Sequence, residues 1–153
     1  MDNIDQKINL AIQTHIHDGN FSERIEALDI DSNYIYLLIR VVAATTDNTV
    51  ATVVGGDYVM PYSGTIYDVG ATVDTAGVTG TTQIDINRAG TTIMAATKIT
   101  IDSAEKTSRT GVTLPIISAP NFNLGDIFTF DVDTIQTTAA KGLTIFMVIN
   151  RSI

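Results

Sequence analysis

The stretch 126-DIFTFDVD-133 alternates apolar and polar side chains along most of its length. Successive side chains of a β-strand point to opposite faces of its sheet, so this period of two predicts a strand. Phe128, Phe130 and Val132 would then form a buried face, and the acids and the threonine between them would form a solvated face. The stretch therefore predicts a half-buried strand of an antiparallel sheet.

The same period of two recurs in two further stretches. In 97-TKITID-102, Ile99 and Ile101 alternate with polar residues. This stretch and residues 65–73 are both rich in residues with a high β-propensity, which favours strands over helices. In 65-TIYDVGATV-73 the alternation predicts one shared face that carries Tyr67, Val69, Ala71 and Val73.

A hairpin and regularly spaced turns indicate the fold class. The stretch 81-TTQIDINRAGTTIM-94 has isoleucines on either side of NRAG, where Gly90 can adopt a positive φ, and this predicts a β-hairpin. Glycine-containing turns separate the other predicted strands, and no helical period interrupts them after residue 33. The sequence predicts an all-β domain over residues 34–153, a jelly-roll-like β-sandwich.

The first and last predicted strands of this domain are apolar on both faces. In 34-YIYLLIRVVA-43 and 142-GLTIFMVI-149 the second face carries Tyr34, Tyr36, Leu38, Val42, Phe146 and Val148. A strand that is apolar on both sides needs a cover on both sides. One cover is the facing sheet of the sandwich. The other is an identical subunit around a symmetry axis, which makes these six residues a predicted interface between subunits, or alternatively the chain's own N-terminal segment.

The N-terminal segment has a different period. Ile4, Ile8, Ile12 and Ile16 recur at four-residue spacing and predict one apolar face of a helix over residues 1–16. A helix of about four turns is marginally stable alone in water. It needs a partner, which is its own domain, copies of itself, or a larger assembly to which these isoleucines would anchor it. Residues 17–33 are predicted to connect this helix to the β-domain, so residues 1–33 form the anchoring helix and connector.

The segment 14-THIHDGNF-21 contains both histidines of the chain. In extended backbone His15 and His17 point the same way, which gives one chain two metal ligands. Three copies around an axis would supply six nitrogens, enough for an octahedral divalent metal. The alternative is that Asp18 and Gly19 end the helix while the imidazoles cap its last carbonyl groups. No other cofactor is expected.

Charge and composition exclude several functional classes. The net charge is −8, from 9 basic and 17 acidic residues, and no basic cluster exists that would attract a nucleic acid. There are no cysteines for disulfides or thiolate chemistry. The longest apolar stretch, 34-YIYLLIRVVAA-44, is interrupted by Arg40 and is too short to span a bilayer. Neither nucleic-acid binding nor membrane insertion is expected.

The sequence contains no pattern that predicts catalysis. The two histidines have no accompanying nucleophile turn, so a hydrolytic triad is not expected. Asp131 and Asp133 lie two residues apart on a strand, which predicts a solvated face without the apolar pocket that a pair of catalytic carboxylates needs. The protein is therefore expected not to be an enzyme.

Two parts of the chain resemble bacteriophage structural proteins. The segment 14-THIHDGNFSERI-25 resembles the H-x-H-D-G-x-x-S-x-x-I pattern of phage tail, collar and head-fibre proteins. Blocks including DVGATVDTAG, TQIDINRAGTTIM, GDIFTFDVD and AAKGLTIFMVI resemble, in the same order, the β-domain of phage fibre and decoration proteins. This resemblance implies a homotrimeric jelly-roll knob on the exterior of a virion, attached by its N-terminal segment to the major capsid protein or another virion protein.

The resemblance thus implies a non-enzymatic structural protein, a head-fibre or capsid-decoration protein. An alternative is a receptor-binding or glycan-binding module at the tip of a tail or collar fibre. Tyr58, Tyr62 and Tyr67 lie close together in sequence and would stack on the sugar rings of a host-surface glycan. The competing interpretation places Tyr67 in the core of the domain.

Overall fold

The computed structural model describes residues 34–152, which form an all-β domain. No α-helix occurs within these residues; their only helical element is a 3-10 turn at Ser108–Thr110. The predicted all-β class is confirmed, whereas the predicted anchoring helix and connector lie outside the described residues. The strands are β1 Tyr34–Asp47, β2 Tyr58–Val59, β3 Gly64–Thr72, β4 Thr82–Arg88, β5 Thr91–Thr92, β6 Ile99–Ile101, β7 Asn121–Phe122, β8 Ile127–Thr134 and β9 Lys141–Arg151.

The strands form two antiparallel sheets. One sheet has the order β1-β9-β3-β7, and the other has the order β2-β8-β4-β5, with β6 also paired to β4. The strands pair in a nested way: β1 with β9, β2 with β8, β3 with β7 and, innermost, the neighbouring strands β4 and β5. This arrangement is compatible with a β-sandwich.

The two sheets share one hydrophobic core. Strand β9 contributes alternate residues that are fully buried, and the facing sheet contributes the apolar faces of β4 and β8. The period of two in the sequence is the cause, since it gives each long strand one apolar face. The side chains with no more than 1% exposure include Leu143, Ile145, Met147, Ile149, Ile84, Ile86, Phe128, Phe130 and Val132.

The β4–β5 connection is the hairpin that the sequence predicts. Arg88 pairs with Thr91 across a two-residue turn. Both turn residues have a positive φ, 49° at Ala89 and 77° at Gly90. This geometry matches a type I′ turn, whose twist suits the right-handed twist of the paired strands.

A β-bulge in β1 corrects the predicted position of Val42. Arg40 pairs with Thr144, but Val42 pairs with the next residue along β9, Leu143, so β1 contains one extra residue here. Directly paired residues share a face, and Leu143 is fully buried. Val42 therefore packs against the core, and the prediction that it lies on the same face as Tyr34, Tyr36 and Leu38 is wrong.

A second bulge, in β3, corrects the predicted position of Tyr67. Ile66 pairs with Ile149 and Asp68 with Val148, which leaves Tyr67 as the extra residue. Ile66 takes the buried position, whereas Tyr67 is 70% exposed. Bulges re-aim side chains in this way because the inserted residue shifts the alternation by one. The prediction that Tyr67 belongs to the face of Val69, Ala71 and Val73 is wrong.

Replacement of Gly142 by alanine should be more destabilising than the same change at Gly90. Both glycines have a positive φ, 66° and 77°, and alanine is strained in this conformation by about 1 kcal/mol. A Cβ at Gly90 would meet no atom within 4 Å, but at Gly142 it would collide with the Asp74 carboxylate and lie 3.0 Å from the Ala44 Cα. Urea denaturation should show that Gly142→Ala lowers the free energy of unfolding by about 1–3 kcal/mol more than Gly90→Ala does. Equal losses of unfolding free energy would show that the paired strands β1 and β9 accommodate the added methyl group.

Candidate functional site: the outer face of the β1–β9 sheet

One face of the β1–β9 pair points away from the core and carries large apolar side chains. Tyr34 pairs with Asn150, Tyr36 with Val148 and Leu38 with Phe146, so these residues share that face. Tyr34, Tyr36 and Leu38 are 41%, 57% and 68% exposed. We call Tyr34, Tyr36, Leu38, Tyr67, Phe146 and Val148 the aromatic face.

Phe146 is buried although it lies on this outward-pointing side. Its ring covers Gly70 of β3, where a Cβ would occupy the same space. Tyr36 stacks on it, with ring centroids 5.7 Å apart and an angle of 12° between the planes. The Arg109 guanidinium lies 4.6 Å from the ring centroid and forms an ion pair with Asp68. These contacts fix the position of Phe146 at the centre of the aromatic face.

Strand β1 is an edge strand of its sheet. Within residues 34–152 only β9 pairs with β1, so the opposite side of a 14-residue strand has no strand beside it. Edge strands expose unpaired backbone groups, and natural proteins usually protect long apolar ones. An exposed edge together with exposed apolar side chains is typical of a surface that another chain covers.

The two arginines beside the aromatic face are neutralised within the same chain. Arg40 binds Asp74, and Arg109 binds Asp68. The Arg40 guanidinium lowers the pKa of the Asp74 carboxyl group, mainly through their hydrogen bond. These two ion pairs therefore add no net charge beside the aromatic face, although the chain as a whole carries a net charge of −8.

The structure brings together five of the six residues predicted to form a trimer interface. Tyr34, Tyr36 and Leu38 are exposed, Val148 is half-buried and Phe146 is covered by its neighbours. Val42 lies on the opposite face because of the β1 bulge. Contact between these residues and another copy of the chain stays a prediction. The predicted metal ligands His15 and His17 and the predicted anchor Ile4, Ile8, Ile12 and Ile16 lie outside the described residues.

The structure does not bring the three tyrosines of the glycan alternative to one place. Tyr58, on β2, packs against the core, and its burial raises the pKa of its hydroxyl group, with a smaller effect from nearby Tyr62. Tyr62 lies beneath Arg151, whose guanidinium is 5.3 Å from the ring centroid. Tyr67 belongs to the other sheet and contacts Tyr34 edge to face, with centroids 5.4 Å apart.

The acids of β8 belong to a hydrogen-bonded network on the other sheet. Asp85 of β4 pairs directly with Asp131 of β8, a repulsive arrangement for two carboxylates. Lys98 lies between Asp85 and Asp133, with its Nζ 2.8 Å and 2.7 Å from their oxygens. Asn87 donates a hydrogen bond of 2.9 Å to Asp131. As predicted, Asp131 and Asp133 lie on the outer face of β8, where they are half-buried among these partners.

Lys98 compensates the most deeply buried charge of this network. The Asp85 side chain is only 8% exposed and also accepts a hydrogen bond of 2.6 Å from the Thr92 hydroxyl. The hydrogen bonds to Asp133 and Asp85 raise the pKa of Lys98. Sequence reasoning missed this arrangement. The only signal available was that two paired strands both placed acids on one face, which calls for a cation between them.

Between Tyr34 and Ser152 no group of three or more histidine, cysteine or acidic residues is arranged to hold a metal ion. The same part of the chain contains no helix long and apolar enough to cross a bilayer. Comparison of the chain with protein-family models, curated proteins and solved structures finds no significant match. The resemblance to phage fibre and decoration proteins therefore rests on the sequence blocks alone.

Replacement of Lys98 by methionine should destabilise the domain by about 1–3 kcal/mol. It leaves the buried Asp85 carboxylate without its cation, and an uncompensated buried charge is costly. Lys141→Met is the matched control. Its ion pair with Asp47 is 3.5 Å long between side chains that are 47% and 62% exposed, so it should cost less than about 1 kcal/mol. Urea denaturation at neutral pH measures both losses.

The Lys98 contribution should also depend on pH. Because its pKa is raised in the folded state, the stabilisation is complete below the ordinary lysine pKa of about 10.4 and is lost as the pH rises through the raised value. The stability difference between wild type and Lys98→Met should therefore be constant near neutral pH and shrink in alkaline solution. A difference that stays unchanged throughout would mean that packing, rather than charge, explains the effect.

Proposed function

We propose that this chain is a non-enzymatic structural protein on the exterior of a phage virion, a homotrimeric head-fibre or capsid-decoration protein. The β-domain forms the exposed knob, and residues 1–16 attach it to the major capsid protein or another virion protein. The observation that carries the proposal is the aromatic face, a contiguous apolar surface on an edge strand.

The geometry of the aromatic face suits contact between identical chains. Tyr36 and Leu38 project from the outer face of the edge strand, while the neighbouring Phe146 is held in place by stacking. Rigid aromatic and aliphatic groups of this kind provide much of the energy of protein interfaces. The neighbouring arginines are already paired with acids, so three copies can approach here without the repulsion that a net charge of −8 produces elsewhere.

The strand order supports a jelly roll as the fold of the knob. In a jelly roll a long antiparallel ribbon of strands is rolled up, so the first strand pairs with the last, the second with the next to last, and so on inward. The nested pairs β1–β9, β2–β8, β3–β7 and β4–β5 follow this scheme, and they are divided between two sheets in the way that two Greek keys require.

The resemblance of the H-x-H-D-G segment and of the later sequence blocks to phage proteins supports the assignment to a virion. A trimer would also bring three copies of His15 and His17 to one axis, where a divalent metal can bind. In this proposal apolar contact between the knobs holds the trimer together, and the isoleucine face of residues 1–16 docks on the particle.

The full chain should sediment as a trimer at micromolar concentration. Three chains of 16.4 kDa give about 49 kDa. Leu38→Glu should convert the trimer to a 16.4 kDa monomer, since it places a charge in the apolar contact while removing a side chain that is 68% exposed in the single chain. Sedimentation equilibrium or native mass spectrometry measures both masses.

Val59→Glu is the matched control for this experiment. Val59 is also an exposed aliphatic residue on a strand, with 57% exposure, but it belongs to the other sheet. This variant should remain trimeric, and both variants should keep the circular dichroism spectrum of a β-protein. A wild-type protein that sediments as a stable 16.4 kDa monomer would contradict the trimer.

Deletion of residues 1–20 should separate attachment from assembly. The truncated protein should keep a folded, trimeric knob, because the aromatic face lies wholly within residues 34–152. It should no longer co-sediment with particles that lack the native protein, whereas the full chain should bind them. Equal binding by both forms would show that the knob itself contains the docking surface.

A further inference from the structure

A polar cleft of about 520 Å³ lies between the last residue of β4 and strand β7. Its lining includes the side chains of Arg88, Asn121, Asn123 and Asp126, and the buried ring of Phe122. Strand β7 forms the edge of its sheet opposite to β1, and no residue of the aromatic face lines the cleft. The cleft is therefore a surface separate from the proposed contact between chains.

Arg88 occupies a position of β4 where the alternation calls for an apolar side chain. Ile84 and Ile86 are fully buried, and Arg88 continues their period of two. It also pairs directly with Phe128, which is fully buried, and directly paired residues share a face. The Arg88 side chain thus starts on the core side of the sheet, yet it is 32% exposed, so its apolar stem covers the end of the core and its guanidinium reaches the cleft.

The Arg88 guanidinium is only weakly paired. Its Nε lies 4.0 Å from the Asp126 Oδ2, a distance too long for a hydrogen bond. Arg40 and Arg109, in contrast, donate hydrogen bonds to the acids beside them. Arg88 therefore keeps its terminal N–H groups available, and their planar fork matches the two oxygens of a carboxylate.

The opposite wall of the cleft is fixed before any ligand binds. The Asn123 backbone N–H donates a hydrogen bond of 2.9 Å to the Asp126 Oδ2, and the Asp126 N–H donates one of 3.0 Å to the Asn123 carbonyl. The Asn121 side-chain oxygen accepts a hydrogen bond from the Thr65 hydroxyl, which leaves its amide NH₂ group to donate. The cleft thus offers donors from Arg88 and Asn121, and one acceptor, the second oxygen of Asp126.

We propose that this cleft binds the C-terminal residue of a peptide chain. The terminal carboxylate accepts hydrogen bonds from Arg88 and Asn121, and the N–H of the same residue donates one to Asp126. A phosphate dianion suits the cleft less well, because it offers Asp126 no donor and brings a second negative charge to a chain whose net charge is already −8. This binding activity goes beyond the proposed structural role and does not depend on it.

The test titrates the isotope-labelled full chain with acetyl-trialanine that has a free C-terminal carboxylate. Amide NMR spectra should show shifts that cluster at the residues of the cleft, with a Kd of about 1 mM. The same peptide with a C-terminal amide should bind at least about tenfold more weakly, because it lacks the charge that pairs with the guanidinium.

Two substitutions separate the charge of Arg88 from its packing. Arg88→Met keeps an apolar stem over the core and should weaken binding of the free-acid peptide at least about tenfold. Arg151→Met is the matched control, since the Arg151 guanidinium lies over the Tyr62 ring and does not line the cleft, and it should bind as wild type does. Asp126→Asn should bind acetate, which has no N–H, more tightly than wild type, because the repulsion by the Asp126 charge is removed.

The proposal is overturned if wild type binds the acid and the amide peptide equally, or if inorganic phosphate binds more tightly than the peptide. It is also overturned if Arg88→Met binds the peptide as wild type does. Should Arg88→Met fail to fold, Asp126→Asn decides, since an unchanged affinity for acetate would show that no carboxylate binds beside Asp126.

Discussion

The pairing of β1 with β9 is the interaction on which the rest of this domain depends. It joins Tyr34 to Asn150 and so brings together the two ends of the described chain. Closing so long a loop is entropically costly. The complete burial of alternate β9 side chains in the core offsets this cost. The pairs β2–β8, β3–β7 and β4–β5 lie between these two strands in sequence, so the outer pair encloses them all.

The same pairing creates the surface that the proposed function uses. Strands β1 and β9 are apolar on both faces but can bury only one face in the sandwich. The other face becomes the aromatic face. Within it, Phe146 is fixed between Gly70, Tyr36 and Arg109. The bulge in β3 adds Tyr67 to this face.

The other sheet follows a different rule, because its outward side is polar and partly covered. Asp85 and Asp131 lie opposite each other, and their carboxylates repel. Lys98 offsets the negative charge here by contacting Asp85 and Asp133. Lys98 directly precedes β6, so the pairing of β6 with β4 places the cation next to the acids. This network fixes the arrangement of β4, β6 and β8, whereas the aromatic face leaves part of the first sheet exposed.

The sequence by itself determined the all-β class, the β4–β5 hairpin and the buried faces of β6 and β8, because each depends on a local period of two or on a turn residue such as Gly90. It also indicated that β1 and β9 are apolar on both sides. Only the tertiary structure decided that Val42 turns inward, that Tyr67 turns outward and that Lys98 joins two acids. Bulges and cross-strand ion pairs depend on the register between strands far apart in sequence, and a one-residue shift in register reverses every side chain beyond it.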